Sequence, residues 1–161
     1  MKNKFLKQRN YYQDKKNKGK LKMKLITRNT DYAVRALCCI AEQKQEVISA
    51  DRLVKSLDMP RPFLRKILQT LTKAGLLNSS KGKDGGFSLT VSPEEITLTD
   101  VMEIFQAPIR LNECKFKKND CPYISDCLLK GKIDEIEKEV IAKLKAITIA
   151  SIIKKEVNVD D

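Results

Sequence analysis

At 161 residues the chain can form one domain with a modest core, with or without an extended arm. Hydrophobic residues make up 42% and charged residues 33%, and no apolar run approaches the ~20 residues of a bilayer-spanning helix, which excludes a helical membrane protein. The formal net charge is +11 and there is no histidine, which removes the commonest general acid–base group and argues against an enzyme. The charge is uneven. Residues 1–22 carry nine Lys or Arg against the single acid Asp14, a net of +8, which leaves +3 for residues 23–161. This arm has almost no apolar periodicity and reads as disordered. It is expected to be a solvated basic tail or a false start ahead of Met23, with a nucleic-acid arm as the functional alternative. Its opening MKNKFLKQRN lacks the apolar stretch of a signal peptide, so a cytoplasmic protein without a membrane partner is expected.

Patterning begins near Asn29 with NTDYAVRALCCIAEQ. Asn29 or Thr30 is the expected helix cap, with Asp31 in the positively polarised first turn. Ala33, Leu37, Ile40 and Ala41 share one face, and Cys38 is expected to be a core thiol. SADRLVKSL offers Ser49 as a cap for a short helix burying Leu53, Val54 and Leu57. DMPRP is a turn, and Pro62 suits the first turn of the next helix. That helix, FLRKILQTLTKAG, turns Leu64, Ile67, Leu68 and Leu71 inward and stops at Gly75.

The period then changes. LLNSS and FSLTV are short strand-like runs flanking KGKDGG, a basic, glycine-rich hairpin tip. Two short helices joined by a tight turn and followed by a basic hairpin make a winged helix-turn-helix, whose second helix enters the major groove. Arg61, Arg65, Lys66, Gln69 and Lys73 fall on the outer face of that helix because the apolar residues occupy the inner one. A charged outer face alone is usually solvation. Joined to Lys81, Lys83, Gly85 and Gly86 at the hairpin tip, it points to double-stranded DNA.

ITLTDVMEIFQAP predicts a further helix capped at Thr97, with Asp100 completing a capping box. Beyond residue 131, Ile133, Ile136, Val140, Leu144 and Ile147 recur at helical spacing among Lys and Glu. This helix packs on its own chain or on its twin, and the homodimer is favoured because helix-turn-helix proteins commonly read palindromic operators as dimers. ITIASIIKK supplies a short closing helix.

Between these elements, CKFKKNDCPYISDC places Cys114, Cys121 and Cys127 within fourteen residues. In a reducing compartment such a trio favours metal binding or redox chemistry over disulfides. Thiolates suit iron–sulfur clusters, zinc or copper(I), and a structural zinc knot, a cluster-free thiol switch or control by a partner protein stay open as alternatives. No GxxxxGK[ST] phosphate loop is present.

The order TDYAVRAL, PFLRKILQTLTKAGLL, KGKDGGFSL, ITLTDV, cysteine trio and long helix resembles the Rrf2 family of bacterial winged-helix regulators, over about Met23 to Lys155. The resemblance implies a mostly α fold with a small β-hairpin wing and a long C-terminal dimerisation helix. It implies a DNA-binding transcriptional regulator, expected to be a repressor, controlled by an iron–sulfur cluster that senses iron supply, redox stress or nitric oxide. On the same grounds Cys114, Cys121 and Cys127 are the cluster ligands, although their first spacing holds six residues where those relatives usually have about five. The histidine that IscR-like members place three residues after the last cysteine is Lys130 here, and an ammonium cannot ligate iron. NsrR-like members use an aspartate of the partner's first helix, and the matching residue is Asp31. An aspartate ligand favours [4Fe–4S] over [2Fe–2S]. Arg65 and Lys66 take the family's base-facing positions, and Lys81 replaces a wing arginine, keeping its charge without the planar fork.

The expected organisation is an arm at 1–22, a winged helix-turn-helix at 23–106 and a cysteine segment at 107–130. A dimerisation and closing helix follows at 131–155, with a tail at 156–161.

Overall fold

The computed structural model of the chain describes residues 25–43, 47–82, 85–111 and 127–154. Their elements run α1 (Arg28–Ala41), α2 (Ala50–Leu57), α3 (Arg61–Lys73), β1 (Leu77–Ser79), β2 (Phe87–Leu89), α4 (Leu98–Phe105), α5 (Leu128–Lys145) and α6 (Ile149–Ile153). The basic arm lies outside the described residues, as do Cys114, Cys121 and Lys83. The fold is mostly helical with a two-stranded antiparallel wing, as the patterning predicts.

Local signals set most helix ends. Ser49 caps α2 by accepting from Arg52 N at 3.3 Å. Pro62 stands in the first turn of α3, and Gly75 follows that helix at φ 79°, a conformation glycine reaches without a Cβ penalty. Thr97 and Asp100 form the expected capping box on α4, and Thr148 with Ser151 forms a second on α6. The two boxes lie side by side, because Thr97 and Thr148 pair as an isolated β-bridge.

The start of α1 differs from the expectation. Thr27, not Asn29 or Thr30, is the cap, and its hydroxyl accepts from Thr30 N at 3.3 Å. Thr30 is drawn inside instead. Its side chain is fully buried, and its hydroxyl donates to Gln106 Oε1 at 2.8 Å. Gln106 Oε1 also accepts from Thr27 N at 3.0 Å, and Gln106 Nε2 donates to the Leu25 carbonyl at 3.1 Å. The end of α4 is therefore tied to the start of α1 through one amide.

The main core joins Leu37 of α1, Leu53 of α2, and Leu64, Ile67, Leu68 and Leu71 of α3 to Leu77, Ile96, Val101 and Ile149. Each side chain of this size contributes about 1.5–3 kcal/mol on full burial. Only Leu53 of α2 is fully buried, while Val54 and Leu57 are half-buried at the core's edge. The closing helix matters more than its length suggests. Ile149 returns to the head and is completely buried.

A second, smaller cluster holds α5. Leu98 and Met102 of α4 pack with Leu144, flanked by Val34, Ile109, Val140 and Ile147. The opposite end of α5 is bare: Leu128 is 89% exposed, Leu129 68% and Ile136 52%. The helix begins at Leu128, so the final residues of the expected 107–130 segment already belong to it.

Candidate nucleic-acid interface and metal centre

The outer face of α3 follows from its inner one. Leu64, Ile67, Leu68 and Leu71 are no more than 3% exposed, so helical geometry turns Arg61, Arg65, Lys66, Gln69 and Lys73 to solvent. All five are exposed. They are not equivalent, however. Arg61 Nη2 reaches Asp51 Oδ1 of α2 at 2.8 Å, and this exposed pair braces the two helices at a value of about 0–1 kcal/mol. Arg65 has no acid partner among the described residues, so its planar fork is available to a base edge or a phosphate.

The wing is a three-residue ladder pairing Leu77 with Leu89, Asn78 with Ser88 and Ser79 with Phe87. Its strands are shorter than LLNSS and FSLTV suggest, although Thr90 N still donates to the Leu76 carbonyl at 3.2 Å just beyond the ladder. Ser80 and Gly86 close the tip with reciprocal backbone bonds of 2.9 and 3.1 Å. Lys81 is exposed at that tip. The two glycines do different work from a simple flexible tip. A Cβ on Gly86 would stand 2.2 Å from the Ile48 carbonyl oxygen, and one on Gly85 2.4 Å from that of Ser80. Gly86 is buried because β2 is also bonded to the segment before α2, through Ile48 N to Phe87 O at 3.0 Å and Phe87 N to Ile48 O at 2.9 Å. Close backbone approach is the reason for glycine at both positions.

Of the three trio cysteines only Cys127 is described. It is half-buried and caps α5, its sulfur accepting from Lys130 N at 3.4 Å. Lys130 itself reaches Asp134 Oδ2 at 3.1 Å, and a salt-bridged ammonium has no lone pair to offer a metal. Asp31 lies in the first turn of α1 with its side chain 48% exposed, and both carboxylate oxygens accept from Arg35 Nε at 3.2 and 3.1 Å. It is outward-facing and accessible, but already engaged. No group of three or more Cys, Asp or Glu is assembled among the described residues. In donor chemistry the set fits a cluster: soft thiolates and one carboxylate, with no competing imidazole.

The other two cysteines are of another kind. Cys38 packs against the head core, and burial, followed by the charge of Glu42, pushes its thiol up to about 11. Burial also raises Cys39, against a lowering hydrogen bond from Ser56. Both are protonated at neutral pH and behave as small apolar residues, in agreement with the reading of Cys38.

Two tethers went unpredicted, and both hold the approach to the cysteine trio at residues 106–111. Gln106 secures its entrance to α1. Glu137 of α5, whose side chain is only 14% exposed, accepts from Leu111 N at 2.8 Å and pairs with Arg110 at 3.6 Å. Glu137 is one acid among many on a Lys/Glu-rich helix, so no feature of the sequence singled it out.

Residues 26–155 match the Rrf2 family, described as an iron-dependent transcriptional regulator. An HTH-type transcriptional regulator of Aquifex aeolicus is 32% identical over 127 residues, spanning 78% of this chain and 88% of that one. The regulator NsrR of Halalkalibacterium halodurans is 29% identical, over 81% and 91% of the two chains. Among solved structures, CymR, the global cysteine regulator of B. subtilis, superposes with a TM-score of 0.65 at 20% identity, covering 81% of this chain and 97% of its own. These relatives are transcriptional regulators, which are not enzymes.

Proposed function

The chain belongs to the Rrf2 family of transcriptional regulators, and from that premise we propose a cytoplasmic repressor whose hold on DNA is set by an iron–sulfur cluster. Cys114, Cys121 and Cys127 are its protein ligands, and Asp31 of the second protomer is the fourth. When bound, the cluster supplies a centre sensitive to iron supply, redox stress and nitric oxide. A [4Fe–4S] centre is favoured over [2Fe–2S] on the strength of the carboxylate ligand.

The observation that carries this reading is the position of Cys127. Its sulfur sits at the first turn of α5, and the far end of α5 is docked through Leu144 onto α4, which packs in turn on α1 of the head. A change in what holds Cys127 thus reaches the DNA-reading face through α4 and α1, the two helices that link α5 to α3. For Asp31 to ligate, its carboxylate must exchange the Arg35 guanidinium for a metal, which couples ligand binding to the pairing of α1. Lys130 takes no part in ligation.

DNA is read by Arg65, Lys66 and Gln69 on the outer face of α3, with Arg61 at its entry and Lys81 and Lys83 of the wing against the backbone, while Gly85 and the buried Gly86 serve by letting the wing close tightly. Two copies align these faces on a palindromic site. The exposed apolar side chains of α5, Leu128, Leu129, Ile136 and Ile141, support the pairing of two such helices.

A signal shifts an equilibrium only through different stabilisation of its two states. The test is therefore paired: iron and acid-labile sulfide counted on anaerobically isolated protein, then operator binding of the loaded and stripped forms. Stoichiometric iron and sulfide with unequal affinities is the expected result. Equal affinities would end the switch while leaving the cluster intact.

A further inference from the structure

Arg28 opens α1 and is exposed, yet its guanidinium is held in place. Its central carbon lies 5.3 Å from the centroid of the Tyr32 ring and 5.9 Å from that of Phe63. Tyr32 and Phe63 meet edge to face, with centroids 5.3 Å apart at 76°. One Nη2 hydrogen is given to the Tyr32 hydroxyl at 3.3 Å. A guanidinium held near two aromatic rings and bonded to the Tyr32 hydroxyl has N–H donors to spare, and it loses little freedom when a further acceptor arrives.

Position gives this arrangement a meaning. Phe63 belongs to the first turn of α3, on the flank beside the outer face formed by Arg65, Lys66 and Gln69. Tyr32 and Phe63 therefore clamp the start of α1 to the end of α3 that enters a groove. Other arginines are committed to acids: Arg35 to Asp31, Arg61 to Asp51 and Arg110 to Glu137. Arg28 has no carboxylate within ion-pair distance among the described residues, although Asp31 is only three residues away and is taken by Arg35. An immobilised, unneutralised guanidinium beside the reading helix suits an anion on the lip of the groove.

We infer that Arg28, held over Tyr32 and Phe63, is a contact to the DNA phosphate backbone flanking α3. It sets how deep and at what angle the helix sits, without choosing sequence. The inference rests on α3 being the reading helix. It does not depend on the cluster.

The probe is a short labelled duplex of arbitrary sequence, titrated with the full-length chain over a series of potassium chloride concentrations. Phosphate contacts appear in the slope of log affinity against log salt, at about 0.9 per contact. Arg28→Ala is expected to lower that slope by about one contact per protomer and to weaken binding roughly tenfold at low salt, equally for any duplex. Arg28→Lys keeps the charge and loses the planar fork, so it should retain the slope with a smaller loss of affinity. An Arg28→Ala protein with the wild-type slope overturns the inference, whether or not its melting temperature has dropped. A wild-type chain that binds no duplex overturns the reading of α3 and this inference together. Wild-type binding with an unchanged variant removes the phosphate contact alone.

Discussion

Helices α3 and α5 carry similar apolar stripes and meet opposite fates. In α3, Leu64, Ile67, Leu68 and Leu71 are all buried, whereas among the eighteen residues of α5 only Leu144 is. The difference lies in what surrounds them. α3 is covered by α1, α2 and β1, while α5 touches the head through its second half alone. A satisfied inner face leaves a helix with its polar side to offer, and for α3 that side is basic. An unsatisfied face leaves apolar surface to offer, and for α5 it begins at the residue following Cys127. One helix offers a basic face and the other an apolar one, and the cysteine segment joins onto the second.

That contrast can be broken at its strongest point first. Leu68→Ala should destabilise the head by about 2–5 kcal/mol, because the lost contacts leave a cavity that a close-packed core fills only in part. Thermal melting reads the loss, and duplex binding should fall with the folded fraction. The corresponding change on α5 should act on assembly instead. Ile136→Glu is expected to leave the melting of the head within about 0.5 kcal/mol, since the side chain is half exposed and lies outside both packed clusters. Sedimentation should then show a dimer giving way to a monomer. An unchanged mass would return α5 to its own chain.

Cys127→Ser separates ligation from helix capping. Serine is a preferred cap, so α5 should keep its first turn while the soft ligand is lost. Bound iron should fall well below the wild-type content with little change in far-ultraviolet circular dichroism. Retained iron would exclude Cys127 as a ligand. The smallest effect belongs to the buried thiol of α1. Folding raises the Cys38 pKa to about 11. The folded state thus holds its proton to higher pH than the unfolded chain does, and that stability is present below the ordinary thiol range. It should be lost as pH rises towards 11, and Cys38→Ala should flatten that alkaline decline in a melting series.

Much of the head was legible because its signals are local. Ser49, Pro62, Gly75, Thr97 and Asp100 each act within one turn of their own position, and each performs the expected capping, starting or stopping task. The misplaced cap of α1 shows where that logic ends. Asn29, Thr30 and Thr27 are all competent caps, and Gln106, 76 residues from Thr30, drew Thr30 into the interior and left the role to Thr27. Gly86 is a similar case. Its pattern suggested a hairpin tip, but its requirement comes from Ile48 on another segment. Residue type alone was informative for Cys38, read as a core thiol and packed against the head core. It was silent for arginine, because Arg28, Arg35 and Arg61 look alike until their neighbours are known.

By itself the order of residues determined the kind of molecule: a basic helix-turn-helix with a wing, a thiol-rich segment and a long amphipathic helix. Periodicity and capping are short-range properties, written within a few residues of where they act. Tertiary structure alone decided which charges are free and which are spent. It paired Arg61 with Asp51 and Arg35 with Asp31, set Arg28 over two aromatic rings, and fastened the approach at 106–111 to α1 through Gln106 and to α5 through Glu137. Those outcomes depend on distances between residues far apart in the chain or on competition among near neighbours, and composition cannot encode either.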